Sequence, residues 1–166
     1  MRYKVLSVCA LFVLAVASTP AQTKSSMSGK CAKPDPQSIP AGDRDGHMFA
    51  VQTGKCEATG EIGGEKSTEG TYSEHTDVMG SRVRAWGVYV ETFDGGDKVF
   101  FNYQTHAKVD KGMFTSGGNT YQITGGTGKM KGIKGSGTCK LTGTPEGGLV
   151  YKCTGEYTMA KMSAEK

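Results

Sequence analysis

From Gly46 to Met159 apolar and polar side chains alternate with a period of two, and glycine-rich turns interrupt the alternation at short intervals. The pattern is clearest near the end. Ile133, Cys139, Leu141, Leu149, Tyr151, Cys153, Tyr157 and Met159 share one parity, while Lys134, Ser136, Thr138, Lys140, Lys152, Thr154, Glu156 and Thr158 share the other. The first set is expected to point inward. Strands are predicted over 47–58, 69–79, 82–93, 98–109, 113–124, 132–141 and 149–159, the fifth of them broken. Hairpin-sized connections join them at 60–64, 94–97, 110–112 and 144–148. No amphipathic helix longer than a turn or two is visible. Segments this long, joined as a meander, remove their edges by closing. The expectation is an all-β, single-domain chain: an antiparallel up-and-down, calycin-like β-barrel of about eight strands.

Residues 1–21 read differently. Arg2 and Lys4 precede an apolar run through Leu11, Phe12, Val13, Leu14 and Val16, and Thr19-Pro20-Ala21 suits signal-peptide cleavage. The run is short for a bilayer span, which needs about 20 residues, and no later segment is more apolar. The expected protein is exported to the periplasm or beyond, with no membrane anchor. Residues 22–45 are polar, with Pro34, Pro36 and Pro40, and read as a flexible extended arm before a barrel over 46–160 and a tail over 161–166.

Charge narrows the partners. The chain carries 20 basic and 16 acidic side chains, and loss of Arg2 and Lys4 with the signal segment leaves a net +2. That gives no footprint for nucleic acid. Lys129, Lys131, Lys134 and Lys140 form one basic concentration, best read as a solvated strand exterior that resists edge pairing. Cys9 leaves with the signal segment, and four cysteines remain. A turn centred on Glu146 places Cys139 and Cys153 directly across from each other, which selects that pair, and Cys31 with Cys56 follows by elimination. The second bridge ties the arm to the first barrel strand.

Several chemistries find no support. GGTGK at 125–129 has Ile123 and Met130 where a phosphate-binding loop needs Gly and Ser or Thr, and the dinucleotide fingerprint breaks at Lys131. His47, His75 and His106 have no metal-ligand spacing and no CxxC pair occurs, so neither metal nor cofactor is expected. Ser136 lies outside any nucleophile-elbow motif.

The glycine spacing of ITGGTGKMKGIKGSG, Ile123 to Gly137, resembles that of the allene oxide cyclase and dirigent-protein barrel superfamily, including small secreted bacterial members of unassigned function. The preceding Gly95-Gly96-Asp97-Lys98-Val99-Phe100-Phe101 resembles that family's fourth-strand entry. The similarity spans Gly46 to Met159 and carries no catalytic residue across. It implies a lumen that takes a small molecule and an apolar outer face through which copies associate, commonly as trimers.

The hairpin about Gly95-Gly96 is where this matters, since both its faces are partly apolar. With a two-residue loop, Glu91 opposes Phe100, and Tyr89, Glu91, Asn102 and His106 share one face. The other face holds Trp86, Val88, Val90 and Phe101. The resemblance turns the first face to the lumen, as the ligand-binding set, and the second outward. The reverse, with Trp86 and Phe101 filling the barrel, remains open. Three functions follow: a container for a small apolar molecule, an isomerase or cyclase of allene oxide cyclase type with Glu91 as its carboxylate, or a structural barrel with no ligand site.

Overall fold

The computed structural model describes residues 21–160. The expected signal segment, all but its last residue, and the tail at 161–166 fall outside them. Nine strands are present: β1 (Thr23–Cys31), β2 (Gln37–Pro40), β3 (His47–Ile62), β4 (Glu65–Met79), β5 (Arg82–Phe93), β6 (Lys98–Asp110), β7 (Met113–Gly126), β8 (Lys134–Gly143) and β9 (Leu149–Thr158). Every pairing is antiparallel. The sheet runs β1-β9-β8-β7-β6-β5-β4-β3, and β1 pairs again with β3, so eight strands close into a barrel while β2 lengthens the sheet along β3. The described residues contain no α-helix, only a 3₁₀ turn at Gly128–Met130.

The sequence expectation for 22–45 is corrected here. Residues 23–31 form a barrel strand, hydrogen-bonded to β9 through nine residue pairs and to β3 through five. Its inward positions are Ser25, Met27, Gly29 and Cys31, so only one large apolar side chain marks the buried face. A strand held on both edges by backbone hydrogen bonds needs little apolar surface of its own. Both disulfides are as expected. Cys139 pairs with Cys153 across β8 and β9, and Cys31 with Cys56 across β1 and β3.

One end of the barrel is plugged. Ile62, Phe93, Val99, Met130 and Ile133 are almost wholly buried there. Met130 and Ile133 come from the glycine-rich turn between β7 and β8, which is lashed to the start of β6. Lys98 N–H donates to Thr127 Oγ1 at 2.8 Å, and Lys129 N–H donates to Asp97 Oδ2 at 3.0 Å. Gly128 has a left-handed φ of 47°, and a Cβ there would strike the Asp97 carboxylate. The two glycine-rich segments singled out in the sequence are thus two halves of one plug. The opposite end, where β4 meets β5 and β8 meets β9, stays open.

Candidate functional site

The lumen encloses a cavity of about 340 Å³. Its hollowness comes from a repeated pairing of inward tyrosines with inward glycines. Tyr72 faces Gly54 across β3 and β4, Tyr103 faces Gly87 across β5 and β6, Tyr121 faces Gly137 across β7 and β8, and Tyr151 faces Gly29 across β9 and β1. In each case a Cβ on the glycine would collide with the tyrosine's phenol end. The rings therefore lie along the wall, over strands that offer no side chain, and leave the axis free. Tyr89 does the same over Gly70. Alanines at 50, 58, 85 and 107 line other inward positions.

The phenol groups and two carboxyls make a polar lattice on this wall. The Tyr89 and Tyr151 hydroxyls meet at 2.9 Å. Tyr103 reaches across Gly87 to donate to Glu74 Oε2 at 2.7 Å, and Gln52 Nε2 donates to Glu74 Oε1 at 2.5 Å. Toward the closed end Glu91, 1% exposed, accepts a hydrogen bond from the Ser67 hydroxyl. Burial pushes its carboxyl up to about 7, against which the Ser67 bond works. Burial also raises the Tyr72 and Tyr151 phenols to about 12, and moves the Tyr121 phenol in the same direction. For Tyr89 and Tyr103 the direction is the same, and the neighbouring Tyr151 and the Glu74 charge respectively add to it. All of these phenols are neutral hydrogen-bonding groups at physiological pH.

Of the four residues expected to face the lumen, Tyr89 and Glu91 do, and Asn102 and His106 do not. Both lie exposed on the outer surface. Phe101, expected outside, is 3% exposed and packs edge-on against Tyr89 at 5.8 Å between ring centroids. The cause is the loop between β5 and β6. Gly96 N–H bonds back to Phe93 O, Gly96 adopts φ 81°, and Phe93 N–H pairs with Asp97 O, so three residues and not two make the turn. Glu91 then opposes Val99 and not Phe100, and the one-residue slip turns all of β6 over. Trp86, Val88 and Val90 remain on the outer side, so β5 faces as expected and β6 is reversed. Asn102 instead borders a broad depression of about 1260 Å³ on the barrel's exterior, open to solvent and flanked by Trp86 and Val88.

Glu74, Tyr72, Tyr103 and Tyr121 went unnoticed as lumen groups in the sequence. Their signal was the opposition of tyrosine to glycine across hairpins, which becomes visible only once register is known. Among the described residues no cluster of His, Cys, Asp and Glu is arranged to hold a metal ion.

No family model matches the chain, and no curated protein matches it. Among solved structures it is similar to the pterocarpan synthase dirigent protein GePTS1, with 12% identity, 90% of this chain and 91% of that chain covered, and a TM-score of 0.51. A second pterocarpan synthase dirigent protein, PsPTS1, has 12% identity, coverage of 87% and 97%, and a TM-score of 0.49. A pyocyanin demethylase has 14% identity, coverage of 79% and 98%, and a TM-score of 0.42. At such identity the likeness to GePTS1 is one of fold, that of a dirigent-like barrel.

Proposed function

We propose that this chain is an exported barrel that holds a small, largely apolar molecule in its lumen. The observation that carries the reading is the hollow, closed-ended cavity itself, kept open by tyrosines laid against glycines. A barrel whose role was purely structural would gain by filling that space, since unfilled volume forfeits packing energy. Two disulfides suit an oxidising compartment, and among the described residues no helix is long and apolar enough to cross a membrane. The outer strip of Trp86, Val88 and Val90 is, in the same reading, covered by further copies of the chain.

A second reading, an isomerase or cyclase working in the same lumen, has Glu91 in its favour. A carboxyl near neutrality at the blind end of an apolar cavity is suited to give or take a proton from a substrate held against it. Native mass spectrometry of the purified protein, with extraction of whatever it carries, tests the container. A bound apolar compound is expected, and Ala85→Phe, which fills the lumen, should release it. An empty wild-type barrel that takes up no apolar probe would end both readings. Glu91→Gln then separates them, because retained binding with lost turnover identifies an enzyme.

A further inference from the structure

The charges on the lumen wall say more about the ligand than its apolar lining does. Glu74 and Glu91 are the acidic groups there, and Lys33, exposed at the open end, is the one basic side chain on the lining. Among the described residues neither carboxyl makes an ion pair; the bridges are Arg44 and His47 with Asp43, His47 with Asp77, and Lys129 with Glu65. Both Glu74 oxygens accept hydrogen bonds, from a phenol and from an amide. That is the bonding pattern of an ionised carboxylate, and its two partners are neutral. A carboxylate accommodates about four acceptor contacts, so Glu74 retains capacity on the lumen side. Its negative charge stands without a counter-charge.

Around it are aromatic faces. The Tyr103 ring lies over Gly87 and ends at Glu74, Tyr72 is the next inward residue on β4, and Tyr89 stands opposite Tyr72 on β5. Rings flattened along a wall turn their electron-rich faces to the lumen axis, the side that attracts cations. An anionic ligand would meet two carboxyls in a site of low polarity with no base beside them. At about 340 Å³ the cavity is at the small end for ligand sites and suits a body of about two fused rings.

We infer that the lumen selects a compact aromatic cation, with its positive nitrogen beside Glu74 and its rings against Tyr72, Tyr89 and Tyr103. This rests on the container reading and specifies its ligand: a quaternised or protonated nitrogen heterocycle, and not a carboxylate-bearing one. The cation supplies the counter-charge that the wall lacks, and Tyr103, whose phenol holds Glu74 in place, also forms part of the cage.

Three probes of nearly equal size decide it by calorimetry on the purified wild-type protein: N-methylquinolinium, 1-methylnaphthalene and 1-naphthoate. The cation is expected to bind about tenfold or more tightly than the neutral hydrocarbon, with naphthoate weakest. Methylnaphthalene should compete with the cation for one site. Glu74→Gln should remove the preference while leaving methylnaphthalene affinity within about threefold, whereas Glu156→Gln, on the outer surface, should retain it. If methylnaphthalene binds as well as the cation, the charge inference is overturned and the container stands. If none of the three binds, the container falls and takes this inference with it. Should Glu74→Gln fail to fold, the order of the three probes on the wild-type protein still decides.

Discussion

Glu91 meets one donor, the Ser67 hydroxyl, and almost no solvent, so its proton is linked to the stability of the barrel. Its carboxyl rises from an ordinary 4.5 to about 7 on folding. The folded chain therefore holds a proton that the unfolded chain has released between those values. Below pH 4.5 both states are protonated and the contribution is fully present; it is lost as pH climbs through about 7. The loss is on the order of 3 kcal/mol. His47 acts in the same sense. Its hydrogen bond with Asp43, aided by Asp77, raises its pKa, so its contribution also fades with rising pH. The informative quantity is thus the difference between wild type and Glu91→Gln in urea unfolding across this range. The variant should gain on the wild type as pH rises, and parallel profiles would refute the linkage. Tyr89 and Glu91 were placed in the lumen by the resemblance, and that placement holds because they lie on β5, whose facing does not depend on the loop that follows it. Asn102 and His106 were misplaced together, because a single backbone conformation at Gly96 decides the facing of β6.

Two of the glycine pairs in hairpin turns, Gly63-Gly64 and Gly95-Gly96, show why register escapes a sequence reading. Gly63 and Gly64 have φ of 60° and 83° and make a two-residue turn inside the connection expected over 60–64, whereas at Gly95-Gly96 only the second glycine is left-handed. The same dipeptide sets two different registers. The register of β8 and β9 was legible, since a turn centred on Glu146 put Cys139 opposite Cys153, which is the pairing observed. β1 was missed because its inward side is mostly Ser, Gly and Cys, which give no apolar alternation. Its junction with β3 is also the least extensive in the barrel wall, five residue pairs against the nine that join it to β9. Cys31–Cys56 lies at the end of that junction and bolts the seam. Cys139–Cys153 lies inside a hairpin that its turn already holds together. Replacing Cys31 and Cys56 by serine should cost about 2 to 4 kcal/mol and more than the same change at the hairpin bridge. Hydrogen exchange should then quicken in β1 ahead of β9. Equal losses from the two bridges, with β1 still as protected as β9, would show that the seam holds without its bolt.

At the scale of the whole molecule the described barrel has an unfilled cavity inside and an excess of exposed apolar side chains outside. The outer excess forms a continuous band. Ile39 on β2 pairs with Phe49 on β3, Val51 lies across from His75 on β4, and His75 stacks on Trp86 of β5 with ring centroids 5.2 Å apart. Val88 continues it along β5. Ile39, Phe49, Val51 and Val88 are 64%, 44%, 57% and 49% exposed, well beyond what scattered surface residues explain. The band expected from sequence, Trp86, Val88, Val90 and Phe101, thus loses Phe101 to the interior and extends the other way, onto β3 and β2. A low net charge opposes association only weakly. Light scattering of the purified protein at micromolar concentration should therefore return a multiple of the chain mass. Val51→Glu with Val88→Glu, both pointing to solvent in the isolated barrel, should bring it to the monomer without lowering the unfolding midpoint measured on the monomer. Charge placed at the centre of a buried apolar contact is costly, while the same charge on a free surface is nearly neutral. A wild-type monomer under these conditions would mean that the band faces water in solution, and the double variant would then change neither mass nor stability.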